Sequence, residues 1–219
     1  MTNKALLAAA LLPLCFIGGC AYTANYNPSY LASARRPVTE PFEGKILLVT
    51  SGQDDKYVYT GNPTSFTGAA TSLTIPVGQI LKESAVAAFV DAFKGGADTK
   101  NLEIGAVVTD ASDGKYVAVV TPKLVSYSYE YNQAKNLGFA ITPTAVVVAD
   151  VRIIDHEGKA NFQKQYESGP VEGPAYMINM SPHEEINKVT HKAFYEIFSK
   201  AASDIGRETA AEKSDTGSR

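Results

Sequence analysis

The segment at residues 144–154 (TAVVVADVRII) is the most β-prone part of the chain, because almost all of its side chains are apolar or β-branched. A second long strand is predicted at residues 116–131, after the dipeptide Asp113-Gly114. This dipeptide favours a type I′ hairpin turn, in which both central residues need positive φ. Pro122 cannot donate to a strand ladder, so a β-bulge or an edge position is expected near it. Shorter strands are predicted at residues 45–50, 57–60, 73–75, 102–109 and 160–167.

Two amphipathic helices are predicted, one before and one after the main block of strands. The first opens at Pro76 and ends at Gly95-Gly96. The second follows the S-x-x-E capping box at residues 181–184 and stops at Gly206. Apolar residues recur at helical spacing in both: Val77, Ile80, Leu81, Ala85, Ala88, Phe89, Ala92 and Phe93, then Ile186, Val189, Ala193, Phe194, Ile197, Phe198, Ala201 and Ile205. This pattern predicts an α+β fold, an antiparallel sheet of about five to seven strands with two amphipathic helices packed on one face.

The charge and cysteine content exclude several classes of protein. Lys and Arg number 20 and Asp and Glu number 23, a net charge of −3, whereas a nucleic-acid binder needs a surplus of cations to neutralise phosphates. We therefore predict no nucleic-acid partner. Two cysteines are too few for a disulfide scaffold or a cysteine-rich zinc site.

The amino terminus has the order of a secretory signal. One cation at Lys4 precedes an apolar run at residues 5–17, which is interrupted only by Pro13. This run is shorter than the roughly 20 apolar residues that a membrane-spanning helix needs. It ends in the tetrapeptide Ile17-Gly18-Gly19-Cys20.

That tetrapeptide resembles a bacterial lipobox, an aliphatic residue and two small residues before a cysteine. The alternatives are a plain signal peptide in which Cys20 is incidental, and a buried core helix. The resemblance implies that residues 1–19 are removed and that Cys20 carries a lipid of three acyl chains, the membrane partner of the protein. Ala21, where an Asp would signal inner-membrane retention, implies an outer-membrane location facing the periplasm in a Gram-negative host.

The mature chain is predicted to consist of three parts. Residues 20–41 read as a flexible tether, residues 42–206 as a single α+β domain, and residues 207–219 as a disordered polar tail. Within the tether, Tyr22, Tyr26 and Tyr30 recur every four residues. They could form one helical face or an interfacial aromatic anchor, but a disordered spacer is the favoured interpretation.

The body shows a second, pattern-level resemblance over residues 42–205. Its segments are Ile75-Pro76-Val77-Gly78 before the first helix, VVVADV at residues 146–151, and Ala193-Phe194 in the second helix. They resemble small accessory outer-membrane lipoproteins, the YajG-like and LptE-like proteins. The resemblance implies an accessory role in the cell envelope with an envelope protein as partner, and it brings no catalytic signature.

The histidines and the serine motifs do not predict an active site. His183-Glu184 begins like the zinc motif H-E-x-x-H, but residue 187 is Asn. His183 and His191 are about 12 Å apart on a helix, too far for one ion. Ser112 begins an S-x-x-K match that falls in a predicted hairpin turn. We therefore predict no catalytic residue, metal site or cofactor, and no enzyme activity.

Two groups of residues are candidates for binding a partner or a ligand. Tyr127, Tyr129 and Tyr131 alternate along one strand, so their rings share a face at a spacing of about 7 Å and could stack on a sugar or an aromatic side chain. Packing beneath a helix or loop is the alternative. The second group could be a docking loop or a lid over the core, and consists of Tyr176, Met177, Ile178 and Met180.

These observations predict a non-enzymatic, membrane-anchored periplasmic lipoprotein, an accessory or structural subunit of an envelope assembly. The alternative is a lipoprotein that binds lipid or glycan through the tyrosine face or through an apolar gap beneath the helices. An enzyme of unrecognised type is the third possibility. The identity of any small-molecule ligand stays open.

Overall fold

A computed structural model describes residues 20–36, 38–102, 115–154, 160–177 and 181–216. The described residues leave out the predicted signal segment, the predicted turn at Asp113-Gly114, most of the strand predicted at residues 102–109, and Ile178 and Met180. In chain order the elements are β1 (Ala21–Thr23), α1 (Pro28–Ala34), β2 (Ile46–Ser51), α2 (Gly52–Asp55), β3 (Tyr59–Gly61), β4 (Ser72–Ile75), α3 (Val77–Ala92), β5 (Ala97–Leu102), β6 (Ala118–Asn132), β7 (Ala140–Ile154), β8 (Ala160–Glu167), β9 (Val171–Glu172), β10 (Tyr176–Met177) and α4 (Pro182–Thr216).

The hairpin of β6 and β7 is the centre of a seven-stranded sheet. The two strands are antiparallel from Val119 opposite Ile154 to Asn132 opposite Thr142. Each has 15 residues, so the hairpin is about 45 Å long at roughly 3.3 Å per residue. A bulge interrupts the register between Leu124 and Ser126. The bulge expected near Pro122 is therefore present, slightly farther along the strand.

The large sheet is mixed rather than wholly antiparallel. Its order is β10-β7-β6-β2-β5, and β8 and β9 also pair with β7. β2 is parallel to both β5 and β6. Between β2 and β5, α3 returns the chain to the same end of the sheet. Parallel neighbours need such a crossover. The α+β class is confirmed, and the direction of β2 is the difference from the predicted antiparallel sheet.

Helices α3 and α4 pack together and cover the sheet. α3 starts directly after Pro76 and α4 starts at Pro182, as the helix signals predict. The apolar stripe of each helix is buried, and Phe89, Phe194 and Phe198 are fully enclosed. The hydrophobic effect of this stripe against the sheet holds the two layers together.

Helix α4 runs past the predicted stop at Gly206 and continues to Thr216. A Cβ atom at position 206 would lie 2.2–2.5 Å from ring atoms of Phe42. The glycine is thus required by the close approach of an aromatic ring, and not by a helix end. Thr209, three residues later, is buried and donates a hydrogen bond to the carbonyl of Gly206. The prediction of a disordered tail from residue 207 is therefore corrected for residues 207–216.

The segment predicted as a flexible tether is folded against the domain. β1 pairs in parallel with β4, which also pairs with β3, to form a three-stranded sheet. Asn27 caps α1 by accepting a hydrogen bond of 3.0 Å from the Ser29 amide. α1 packs on α4 with Leu31 and Ala34 buried. The tether prediction is wrong for this part because the few apolar side chains find partners on the last helix of the chain.

Candidate functional site

Residues 20–36, named here the N-terminal strap, place Cys20 at the surface of the folded domain. The Cys20 thiol is free and exposed. The Cys20 carbonyl accepts a hydrogen bond of 2.9 Å from the Ser72 amide, and the Ala24 amide donates to the Thr74 carbonyl at 2.9 Å. Because both ends of this short stretch are bonded to β4, the cysteine lies directly beside the domain with no spacer.

The three tyrosines of the strap contact the histidines of α4. The Tyr22 ring stacks on His183 with centroids 5.4 Å apart and an angle of 14°. Tyr26 and Tyr30 contact His191 at centroid distances of 5.4 and 5.8 Å. Their spacing of four residues therefore serves packing onto one helix of the domain, although only Tyr30 belongs to a helix itself.

Polar contacts fix the first half of the strap. The Asn187 side-chain amide donates to the Asn25 carbonyl at 2.7 Å. The Tyr30 hydroxyl donates to a Glu184 carboxylate oxygen. This hydrogen bond, helped by burial, raises the pKa of Tyr30 to about 12. The Lys188 ammonium group lies 5.6 Å from the centre of the Tyr30 ring, within range of a cation–π contact.

The other end of the strap is held by Asp91 of α3. Arg35 donates to its carboxylate through Nε at 2.9 Å, and the Tyr195 hydroxyl donates to the same carboxylate at 2.8 Å. The Arg36 amide donates to the Tyr195 hydroxyl at 3.2 Å. The strap thus bridges α3 and α4 and is bonded at both ends.

His191 is fully buried beneath the strap. Its Nδ1 lies 2.8 Å from the Asn187 carbonyl, which can only accept, so Nδ1 carries the proton. Nε2 is buried and has no hydrogen-bond partner among the described residues. Burial lowers the pKa of His191 below its ordinary value of 6.5, and the bond to the carbonyl opposes this only partly. The ring is therefore neutral in the folded protein at pH 7.

Replacing His191 with Gln is expected to weaken the pH dependence of stability. Below pH 6.5 the unfolded chain binds a proton at this histidine that the folded chain does not yet bind. The free energy of unfolding therefore decreases as the pH is lowered. Urea titrations of both proteins between pH 7.5 and pH 5 measure the effect, since all carboxylates are common to both. An equal slope in the two proteins would contradict a buried neutral ring.

The tyrosine row predicted as a binding face lies inside the protein. Tyr127, Tyr129 and Tyr131 are all buried. The Tyr127 hydroxyl is 2.9 Å from Thr190 of α4, and the Tyr129 hydroxyl donates to the Gly61 carbonyl at 2.9 Å. Burial raises the pKa of Tyr127. The rings pack beneath α4, β3 and the loop after β3, so the packing alternative describes them and no open stacking face exists here.

The second candidate group divides into buried and exposed parts. Tyr176 is buried, whereas Met177 is exposed. Met177 is paired with Ala140 at the start of β7.

A cavity of about 220 Å³ opens between α1, α3 and α4 and is bordered by Arg36, Tyr195 and Ser199. This cavity lies between helices, and not in the predicted gap between helices and sheet.

The described residues contain no group of three His, Cys, Asp or Glu side chains arranged to hold a metal ion. In the same ranges, no helix combines the length and the apolar character needed to cross a bilayer. The roles of Asn25 and Asn187 could not be predicted from the sequence, because no local pattern marks an asparagine that bonds to a distant segment.

Comparisons with known proteins find no matching family model and no matching curated protein. Among solved structures, the chain is similar to a protein assigned as a homolog of neuraminyllactose-binding hemagglutinin from Helicobacter pylori, with a TM-score of 0.49, 9% identity, and coverage of 82% of this chain and 96% of that chain. It is also similar to a protein assigned as a lipoprotein from Caulobacter crescentus, with a TM-score of 0.33, 13% identity, and coverage of 61% and 83%. A third structure, a minor lipoprotein from Acinetobacter baumannii, has a TM-score of 0.30, 10% identity, and coverage of 80% and 96%.

Proposed function

We propose that this protein is a non-enzymatic lipoprotein held in the outer membrane by acyl chains on Cys20, with its domain in the periplasm. Its role is that of an accessory or structural subunit of an envelope assembly. The observation that supports this proposal best is that Cys20 is exposed, directly precedes β1, and is bonded through its carbonyl to Ser72 on the surface of the domain. A buried Cys20 could not receive a lipid without unfolding of the strap.

The strap keeps the proposed lipid anchor close to the folded domain. Two acyl chains already suffice for stable membrane binding, at about 0.8 kcal/mol per buried CH₂. Because Cys20 has no spacer between it and β4, the lipid holds the domain itself against the bilayer. A partner that binds this subunit therefore meets it at the membrane surface, in one orientation.

The environments of the histidines support a non-enzymatic role. His191 is enclosed by Tyr26 and Tyr30 and is bonded to a backbone carbonyl. His183 is covered by the Tyr22 ring. A general base must reach a substrate proton within hydrogen-bond distance, and both rings are instead part of the contact between strap and helix. Binding of a glycan to the tyrosine row is not favoured, since those rings are buried.

Replacement of Cys20 with Ala is expected to abolish acylation and outer-membrane retention. Metabolic labelling of Gram-negative cells with an alkyne analogue of palmitate, followed by fractionation and mass spectrometry of the amino-terminal peptide, measures both. The matched control is Cys15→Ala, which removes the other thiol of the chain and leaves residues 17–20 intact. The control should remain labelled and outer-membrane bound.

Retention of label by Cys20→Ala, or an unmodified thiol on Cys20 in the wild type, would contradict the proposed anchor. Crosslinking in intact cells with mass spectrometry tests the accessory role. A stoichiometric envelope partner is expected for the wild type and for Cys15→Ala. Recovery of the chain without any such partner would argue against a subunit role while leaving the anchor in place.

A further inference from the structure

Four large apolar side chains are exposed to solvent at one end of the molecule. The exposed fractions are 97% for Phe66, 87% for Leu137, 77% for Phe139 and 61% for Met177. These four residues are named here the apolar rim. Single exposed apolar residues are common on soluble proteins, but a cluster of large ones indicates a contact with another apolar surface.

Hydrogen bonds connect Phe66 to the lipidation site along a short path. The Ala69 amide donates to the Phe66 carbonyl at 3.1 Å, and the Thr71 amide donates to the Gly68 carbonyl at 2.7 Å. The next residue, Ser72, is bonded to the Cys20 carbonyl. Phe66 therefore lies in the loop that leads directly into the strand beside Cys20.

The other three rim residues belong to the same end of the β6–β7 hairpin. Leu137 and Phe139 occupy the connection between the strands, and Met177 is paired with Ala140, the first residue of β7. The Tyr131 amide donates to the Ser65 hydroxyl at 2.9 Å. This bond joins the end of β6 to the loop that carries Phe66.

Leu137 is held in a backbone conformation that leucine rarely adopts. Its φ of 52° lies in the left-handed region, where the Cβ atom of an L-residue is crowded. It is the one non-glycine residue with positive φ in the described ranges. The Leu137 and Gly138 amides donate to the Ala134 and Gln133 carbonyls at 3.1 and 3.2 Å. A tight turn thus presents a large apolar side chain to the outside.

We infer that the apolar rim inserts into the interfacial layer of the phospholipid bilayer that holds the lipid of Cys20. This inference rests on the proposed lipidation and adds a second, side-chain contact to it. The bilayer is the apolar surface that an acylated Cys20 places beside the rim, since the strap leaves no spacer. The long hairpin then points away from the membrane, and the opposite end of the domain faces the periplasm.

The chain contains no tryptophan, so one introduced tryptophan reports its own environment. Phe66→Trp and Phe139→Trp place the probe on the rim. Val90→Trp is the matched control, because Val90 is 41% exposed near the carboxyl end of α3, which leads to β5 at the other end of the sheet. Each full-length, acylated protein is reconstituted into vesicles of phosphatidylethanolamine and phosphatidylglycerol, with or without bromine on the acyl chains.

Both rim probes should emit at shorter wavelength in vesicles than a tryptophan in water does, and should lose most of this emission when the acyl chains carry bromine. The emission of Val90→Trp should be the same in vesicles with and without bromine. Vesicle flotation in the same samples reports anchoring separately. Flotation with unquenched rim probes overturns the rim contact and leaves the lipid anchor standing. Failure of the acylated protein to float overturns the anchor and the inference with it. Equal quenching of all three probes also overturns the inference, because it shows no preferred orientation.

Discussion

Replacing Gly78 with alanine is expected to lower the free energy of unfolding by about 3 kcal/mol, near the upper end of typical overpacking effects. A Cβ atom there would lie 1.9 Å from the Asp54 carbonyl oxygen and 2.8 Å from the Tyr57 amide nitrogen. Both are backbone atoms, one in α2 and one just after it, so no side-chain rotation relieves the contact. The Gly78 amide also donates to the Tyr57 carbonyl at 2.9 Å, which ties the turn to α3.

The matched control for this change is Gly52→Ala. Gly52 is also a helical glycine, but nothing lies within 4 Å of its Cβ position. Alanine there should be neutral or stabilising by up to about 1 kcal/mol, because alanine has the higher helix propensity. Thermal unfolding of both variants checks the prediction. Equal midpoints for the two alanine variants would show that the turn moves away from α3 at little cost.

Replacing Asn187 with Asp is expected to release the N-terminal strap and to destabilise the protein by about 3 kcal/mol. Asn187 is buried, and its amide nitrogen donates to the Asn25 carbonyl. Aspartate has the same shape, but its carboxylate places an oxygen acceptor against that carbonyl, and holding this charge away from water costs further free energy. The Asn25 carbonyl then loses its partner, and the contacts of Tyr22 and Tyr26 with α4 lose their support.

Hydrogen exchange separates strap release from general unfolding. In Asn187→Asp, the amides of residues 21–34 should exchange faster, with a smaller change in β6 and β7. Asn161→Asp on β8 makes the same chemical change at an exposed position and should leave both regions unchanged. If exchange in Asn187→Asp rises equally across the sheet and the strap, the bond to Asn25 is not what holds the strap.

The central hairpin and the two long helices could be predicted from local patterns. The stripe from Ile186 to Ile205 has a helical period because one face must leave water, and every apolar residue on it is buried. The β-branched run before Ile154 likewise forms β7. Such elements carry their own signal, because the driving force and the period are both present within one short stretch.

The strap, the tail and the direction of β2 could not be predicted in this way. Residues 20–36 contain only one large aliphatic side chain, and their partners lie on β4, α3 and α4, far along the chain. Gly206 carries the sequence signature of a helix end, but its actual constraint is the ring of Phe42. Both cases depend on contacts between distant residues, which composition and periodicity do not contain.

The candidate site residues also differ in whether a local pattern or a distant contact determines them. Cys20 is proposed as the lipidated residue from four consecutive residues, since a processing motif is read locally, and its acylation stays a prediction. The exposure of Tyr127 and its neighbours could not, because alternation along a strand gives a shared face without saying what covers it. α4, β3 and the loop after β3 cover that face here.

The strap also determines the order in which the two ends of the chain can pack together. The residues it joins are far apart in sequence, since Asn25 and Asn187 are separated by 162 positions along the chain. Closing so long a loop costs more entropy than a local contact, and contacts of this range form slowly. The amino terminus is made first, whereas the helix that receives it is made last. In the proposed lipoprotein, the acylated amino terminus is therefore attached to the membrane before α4 exists, and the strap packs against the domain only after α4 has been made.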